Sequence, residues 1–380
     1  MFSKLKELFE TKTPKYKFAL VSTGVAASMM LLLCILAAKA NERMFEKFSK
    51  DLVRYIANDM TEQIESSMNL STKPVISFSD YDNTSSKISK KARTEMYVDF
   101  LAKALDGVKD DVGVSRYYYT DTKGEMIMVE LSDKEDEFRV IESSVKPKFQ
   151  QKYYLIDSES FKFKKKEGTQ KKEYDPRTRS WYEDVANNSK IHWSDAYEDY
   201  FTAAPTITLS YARRDKKGKL VGVFAMDIDL DKFLKILMRK INISMNGIAY
   251  IVKTDGTLVA GSEKENLFYD KEDNYKTKKI WQSEINVIES LETQHLDMKN
   301  AKKKSFHKEE GSLLLKDGLW FYEINPISVL GRVDFLAIVT VPIDGLPNYQ
   351  KDFYVQLFFI LFICVGVLAL FNILYTRNVE

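Results

Sequence analysis

Cysteine is nearly absent from this chain: its 380 residues hold two, Cys34 and Cys364. Each lies inside a long apolar run, so neither supplies a disulfide or a metal ligand to the polar middle of the chain. Histidine is as scarce, and His192, His295 and His307 have no companion at metal-ligand spacing; neither a metal nor any other cofactor is expected. No G-x-S-x-G and no H-E-x-x-H occurs, and no cysteine outside the apolar runs can act as a nucleophile. These absences argue against an enzyme. Charge of one sign is also lacking, with 57 Lys plus Arg against 55 Asp plus Glu and a net charge of +2, which gives no argument for nucleic acid. The basic runs Lys164 to Lys166 and Lys302 to Lys304 are isolated, have acids nearby and read as solvated loops.

What is present begins with two uncharged runs. The first, Phe18 to Ala38, follows Lys4, Lys6, Lys12, Lys15 and Lys17; at 1.5 Å per residue it spans a hydrocarbon core of about 30 Å. The lysines place the N-terminus in the cytoplasm. A cleaved signal peptide is the weaker alternative, because the run is followed by Lys39 and Arg43 rather than a small-residue cleavage site. A second run extends from Phe353 to Thr376. Two spans leave residues 39 to 352 outside the cytoplasm, and membrane lipid becomes an expected partner.

Between the spans, Phe45, Phe48, Leu52, Ile56, Met60 and Ile64 recur at steps of three and four, predicting an amphipathic stalk helix to about Met68. Its stripe serves either its own domain or a second subunit. Leu70 to Lys91, rich in Ser, Thr, Asn and Asp, reads as a loop, and Ala92 to Val108 as a helix. Val114 to Tyr119 and Met126 to Glu130 form a hairpin across Asp121 to Gly124. Further strands are expected at Lys152 to Asp157, Ile207 to Ala212 and Leu220 to Ile228, with a short helix after Pro176 carrying Arg179, Trp181, Tyr182 and Ala186. Asp229 and Asp231 cap a helix over Lys232 to Ile241. A smaller α/β unit follows: Gly247 to Lys253 and Thr257 to Ala260 as a hairpin, then Trp320 to Ile324 and Phe335 to Val341.

The chemistry concentrates between Tyr174 and Asp229. A guanidinium matches a carboxylate with two parallel hydrogen bonds, and an aspartate accepts from an ammonium. Arg179 and Asp227 can therefore hold opposite ends of a small zwitterion. Asp227 lies in an otherwise apolar strand, where an ionised carboxylate must be neutralised by something. Trp181 and the tyrosines suit a wall with an available N–H or O–H. The alternative is that Arg179 and Asp227 pair with each other and the aromatics are core.

The order and spacing of Tyr174, Arg179, Trp181, Tyr182, Tyr197, Asp199 and Asp227 resemble the ligand-binding half of the double Cache domain, the extracytoplasmic sensor of bacterial chemoreceptors and some sensor kinases, in its amino-acid-binding form. The resemblance covers most of residues 41 to 348 and is strongest over 174 to 231. It departs at Ala196, where the family usually has Pro, and at Ala203, where it usually has Gly. It implies that Arg179 and Trp181 bind a ligand carboxylate and that Asp227, with Tyr197 or Asp199, takes the amine. The implied fold is α+β: a long N-terminal stalk helix with two PAS-like α/β Cache modules in tandem, flanked by two transmembrane helices. The implied layout is a cytoplasmic N-terminus (1–17), a first span (18–38), the stalk with a membrane-distal ligand-binding module (41–241), a membrane-proximal module (242–348), a second span (353–376) and a cytoplasmic tail (377–380). The second module lacks an Arg-x-Trp-Tyr constellation and reads as a coupler. The expected protein is a two-pass sensor of the bacterial plasma membrane that binds a small amino acid, pairs as a homodimer and, with no output domain after the second span, signals through a separate cytoplasmic protein. Alternatives are an accessory subunit or split receptor, and a structural membrane protein with a vestigial pocket.

Overall fold

A computed structural model describes residues 14–81, 89–110, 113–134, 136–171, 173–187, 191–233, 247–262, 278–283, 285–296, 307–346 and 349–377. It divides into two compact units, Met1–Leu52 with Ile343–Glu380, and Val53–Pro342.

The first unit is helical. Helix α1, Pro14–Tyr81, begins here. It contains an apolar stretch of mean hydropathy 2.2, long enough to cross a membrane and with none of that window buried. Side chains such as Phe18, Leu32 and Leu33 are exposed, the surface that a hydrocarbon solvent rather than water would favour. The closing helix, Tyr349–Arg377, carries a shorter apolar stretch, Phe353–Leu368.

In the second unit α1 continues well past the expected end at Met68. Residues 70–81, expected as loop, are helical with Pro74 inside, while 82–88 lie outside the described residues. Two local effects and one tertiary effect override the polar composition. Ser71 and Thr72 donate their hydroxyls to the carbonyls of Ser67 and Asn69 at 2.8 and 3.1 Å, so these side chains are satisfied within the helix. Val75 and Phe78 are buried, and Phe78 lies 3.6 Å from Phe224 between ring centroids. Packing of an apolar face, more than propensity, sustains helices. Of the sequence stripe, Met60 and Ile64 are buried inside this unit, whereas Phe48 is exposed.

Helix α2, Lys90–Asp106, is capped by Ser89, whose Oγ accepts from Ala92 N–H at 3.2 Å. Strands β1 (Val114–Asp121) and β2 (Met126–Leu131) form the expected hairpin, with Gly124 at φ 83° where a Cβ would be strained. Then come β3 (Glu137–Ser144), β4 (Gln150–Asp157), β5 (Phe163–Gln170), helix α3 (Ser180–Asn187), β6 (Ile191–Trp193), β7 (Tyr197–Glu198), β8 (Pro205–Arg214) and β9 (Leu220–Asp229). These strands form one antiparallel sheet in the order β5-β4-β3-β2-β1-β9-β8-β6, with β7 also on β8. Lys164 to Lys166, expected in a loop, instead lie on the edge strand β5 with their side chains exposed; lysines on an edge discourage pairing with another chain.

Alternation along the central strand β1 sends its side chains to two faces. Tyr119 and Phe224 are cross-strand partners on one face, packed by Phe78 and by Tyr97 of α2. Arg116 and Tyr118 point to the other, opposite Asp227 and Ala225 of β9.

After β9, the Asp229 carboxylate accepts from Lys232 N–H at 3.0 Å, as a cap should; the remainder of the expected helix, 234–241, lies outside the described residues, as do Lys302 to Lys304. A second antiparallel sheet runs β11-β10-β14-β13-β12, from β10 (Ile248–Lys253), β11 (Leu258–Gly261), β12 (Glu309–Leu315), β13 (Gly318–Val329) and β14 (Arg332–Pro342). Helix α4, Asn286–Leu291, packs Ile288 and Leu291 into its core with Tyr250 and Leu336. A polar seam bolts α1 to this sheet. Arg54 makes two bonds to Glu310 at 2.6 and 2.5 Å, Asn325 donates to Asn58 and Thr61, Ser328 N–H donates to Glu65, and Asn69 bonds both Ser328 O and Leu330 N–H. The fold is thus α+β, with antiparallel sheets and a long N-terminal apolar helix.

Candidate functional site

The site is built on the face of the larger sheet that carries Arg116 and Tyr118. Asp227 stands in the middle of β9 with 2% of its surface exposed. Its Oδ1 accepts from the Tyr118 hydroxyl at 2.7 Å and the Thr208 hydroxyl at 2.6 Å. Its Oδ2 lies 3.7 Å from Arg116 Nε, too long for a hydrogen bond. Burial pushes the Asp227 carboxyl up to about 6, with Asp199 pushing the same way; Arg116 and the two hydroxyls pull against it. A carboxylate in this state still wants a cation on its second oxygen.

The charge partner of Asp227 is therefore Arg116, and not Arg179. Arg116 is 3% exposed, and its Nη1 donates to Asp199 Oδ1 at 3.1 Å. Its Nη2 is 3.7 Å from Glu130. Burial alone would lower the guanidinium, but Asp227, Asp199 and Glu130 outweigh it and hold the charge firmly in place. The ladder continues outward as Arg139 bonds Glu130 at 3.3 Å and Glu167 at 3.2 Å.

Arg179 has a different environment. It is not on a helix: it sits at φ −89°, ψ 143°, between the tight turn Pro176–Thr178 and α3. Its carbonyl accepts from Tyr182 and Glu183 N–H at 3.0 Å, so it opens α3. The preceding turn is anchored by Arg177, which grips Asp175 at 2.9 and 2.6 Å and reaches Thr122 O at 3.4 Å. Among the described residues the Arg179 side chain has no hydrogen bond or ion pair; its guanidinium lies 5.8 Å from the Tyr197 ring centroid. The indole N–H of Trp181 and the hydroxyl of Tyr174 likewise have no hydrogen-bond partner among the described residues.

Six of the seven residues singled out from sequence, Tyr174, Arg179, Trp181, Tyr197, Asp199 and Asp227, line one cavity of about 10 Å³ together with Tyr118, Met128, Tyr200 and Phe201. Tyr182 is not brought to it. It follows Trp181 on α3, about 100° around the axis, and its hydroxyl donates to Asp121 O at 3.4 Å in the adjoining core. Asp199 reaches the cavity but both its oxygens are engaged. Oδ1 accepts from Arg116, and Oδ2 accepts from Phe201 N–H, Thr202 N–H and the Thr202 hydroxyl at 3.1, 2.8 and 2.7 Å. That carboxylate folds the turn from Asp199 to Ala203, whose closing bond is Ala203 N–H to Asp199 O at 2.9 Å. Ala203 sits at φ 57°, where a Cβ is strained. The turn lays Tyr200 and Phe201 over Tyr174, at 4.7 and 5.2 Å between ring centroids. Tyr197 donates to or accepts from Thr208 at 2.7 Å.

Sequence reasoning missed Arg116, Tyr118 and Thr208. The signal for Arg116 was available: a cation inside the buried run Val114 to Tyr119 needs a buried anion, the argument already applied to Asp227.

Comparison with known proteins bears on the same region. Residues 133–235 match the family model for the methyl-accepting chemotaxis protein-like first PDC sensor domain. Over 92 residues the chain is 32% identical to the methyl-accepting chemotaxis protein McpG of Pseudomonas putida; the match is 24% of this chain and spans only 14% of that relative. Among solved structures, the extracellular domain of a protein described as a histidine kinase superposes with a TM-score of 0.51 at 14% identity, covering 80% of this chain and 97% of that one. The ligand-binding domain of a Campylobacter jejuni chemoreceptor in complex with L-valine gives a TM-score of 0.46 at 15% identity, covering 81% and 96%. Residues 133–235 are thus similar to the first PDC sensor domain of methyl-accepting chemotaxis protein-like receptors.

Proposed function

We propose that this protein is a membrane-anchored sensor that binds a small amino acid between Arg179 and Asp227. The observation that carries the reading is the asymmetry of the two ends. Asp227 has one oxygen satisfied by two hydroxyls and one without a hydrogen bond among the described residues, and the Arg179 guanidinium has no partner among them. The first suits an ammonium and the second a carboxylate. Trp181 adds its indole N–H beside Arg179, and Tyr174 and Tyr197 wall the space. The charges balance: Asp199 and Asp227 share Arg116, and with Arg179 the two guanidiniums and two carboxylates face a ligand that is itself neutral overall.

The present cavity admits about one water. Entry of an amino acid therefore requires the turn bearing Tyr200 and Phe201 to swing outward and close again over the ligand, the kind of movement a sensor can transmit. In this reading residues 41–241 form the membrane-distal ligand-binding module and 242–348 a membrane-proximal module that couples it, with the α1 seam as the connection. The closing helix is a second span, which makes the protein two-pass with its sensor outside the cytoplasm. The exposed face of α1 that includes Tyr55 pairs two copies.

The test is a thermal-shift screen of the full chain in detergent micelles against the amino acids, followed by calorimetry on variants. Arg179→Ala and Asp227→Ala each leave a charge unpaired, at about 2–5 kcal/mol, and binding falls at least about thirtyfold. Asp231→Ala, at an exposed position, leaves affinity unchanged. A folded protein that no amino acid stabilises would instead favour a vestigial pocket.

A further inference from the structure

A second and much larger cavity lies on the opposite face of the same sheet. Its volume is about 680 Å³, inside the range of roughly 300–1,000 Å³ typical of small-molecule sites. The alternation of β1 separates the two: Tyr118 lines the first cavity and Tyr119 the second. Its floor includes Ile127, Glu142 and Lys152, which stand in one cross-strand row on β2, β3 and β4. The first turn of α2 adds Lys90 and Arg93.

The charges in this cavity are unequally satisfied. Two of its three acids, Glu125 and Asp121, are engaged. Glu125 holds Lys90 at 2.9 Å, and Asp121 Oδ1 accepts the N–H groups of Lys123 and Glu125 at 2.8 and 2.9 Å. Burial pushes the Tyr154 phenol up, and Glu142 lies near enough to push it further. Of its five cations, three are not engaged: Arg93, Lys146 and Lys152 have no ion pair and no hydrogen bond from their side chains among the described residues. Arg93 Nε is moreover sealed from solvent without an acceptor, an expensive state for a donor on a charged group. Three unpaired cations from α2, the β3–β4 connection and β4 converge on a space with room for a ligand. Convergent cations at a concave, partly desolvated surface select negative charge, and a guanidinium favours carboxylate or phosphate oxygens.

We propose that this cavity is a second ligand site, for a small anion bearing two or more carboxylate or phosphate groups. It stands independently of the amino-acid reading, since it shares no side chain with that cavity. The test is calorimetric titration of the full chain in detergent micelles with citrate and with pyrophosphate, using acetate at equal ionic strength as the monovalent control. Saturable binding of citrate or pyrophosphate is expected, weakened at least about tenfold by Arg93→Gln and by Lys152→Gln. Arg179→Ala leaves it unchanged. Binding of citrate alone assigns carboxylates and of pyrophosphate alone assigns phosphates; both outcomes support the site. Should Arg93→Gln lower the melting midpoint through its place in α2, Lys152→Gln on the sheet decides. The proposal is overturned if neither anion binds, if both variants bind as wild type, or if Lys217→Gln, in an exposed turn, weakens binding equally and so reveals diffuse attraction.

Discussion

A single carboxyl sets the pH behaviour of the proposed amino-acid site. Asp227 titrates near 6 in the ligand-free fold, against about 3.9 for an unperturbed aspartate. The folded state therefore holds this proton longer than the unfolded chain, and between about pH 4 and 6 Asp227 makes the fold less stable as pH rises. A bound ammonium prefers the ionised form, so ligand affinity runs the other way and falls as pH drops through 6. Between pH 7 and pH 5 calorimetry is expected to show about a tenfold loss, and Asp227→Asn to bind weakly with a flat profile. Arg116 gives a stability prediction. Replacing it by Met strands Asp199 and Asp227 without their shared cation, which costs about 3–5 kcal/mol for a broken buried pair, and the melting midpoint falls most above pH 6, where Asp227 is ionised. Much of this residue-level picture was legible, because the distinctive spacing from Tyr174 to Asp227 names residues that side-chain geometry then gathers. Arg116 was not, since nothing in β1 by itself says which acids it will face. Nor was the engagement of Asp199, whose neighbours Phe201 and Thr202 take its second oxygen through their own backbone.

At the scale of elements, the turn over the cavity and the seam on α1 are the parts whose energies can be probed. Ala203 occupies a left-handed conformation that costs an L-residue about 1–2 kcal/mol, part of which a glycine returns as lost chain entropy. Ala203→Gly is expected to stabilise the protein by about 0.5–1 kcal/mol, read as a higher melting midpoint. Asn69 completes the hydrogen bonding of Ser328 O and Leu330 N–H; Asn69→Ala leaves both groups short of a partner and costs about 1–3 kcal/mol. Regular strands with strong alternation or a clear turn, such as β1 with β2 or β8 with β9, were readable. The C-terminal part of α1 was not, because its helicity depends on Val75 and Phe78 finding a core far away in sequence. Strand β5 was hidden by its lysines, which read as solvated and are solvated, but on a sheet edge.

For the whole molecule, the proposed two-pass topology would put the edge strand β5 outside the cytoplasm. An impermeant amine-reactive label on intact spheroplasts is expected to modify exposed Lys165; protection of Lys165 alongside labelling of the first lysines would reverse the orientation. The proposed sensor holds one amino acid, its carboxylate on Arg179 and its ammonium on Asp227. The most direct measurement is calorimetry of the best amino acid from the screen beside two analogues, the amine lacking its carboxylate and the acid lacking its amino group, on wild type, Arg179→Ala and Asp227→Asn. Both analogues are expected to bind wild type at least about thirtyfold more weakly than the amino acid. The amine should lose nothing further in Arg179→Ala, and the acid nothing further in Asp227→Asn, because each variant removes a contact that its analogue never makes. An amino acid that bound both folded variants with wild-type affinity would contradict the account.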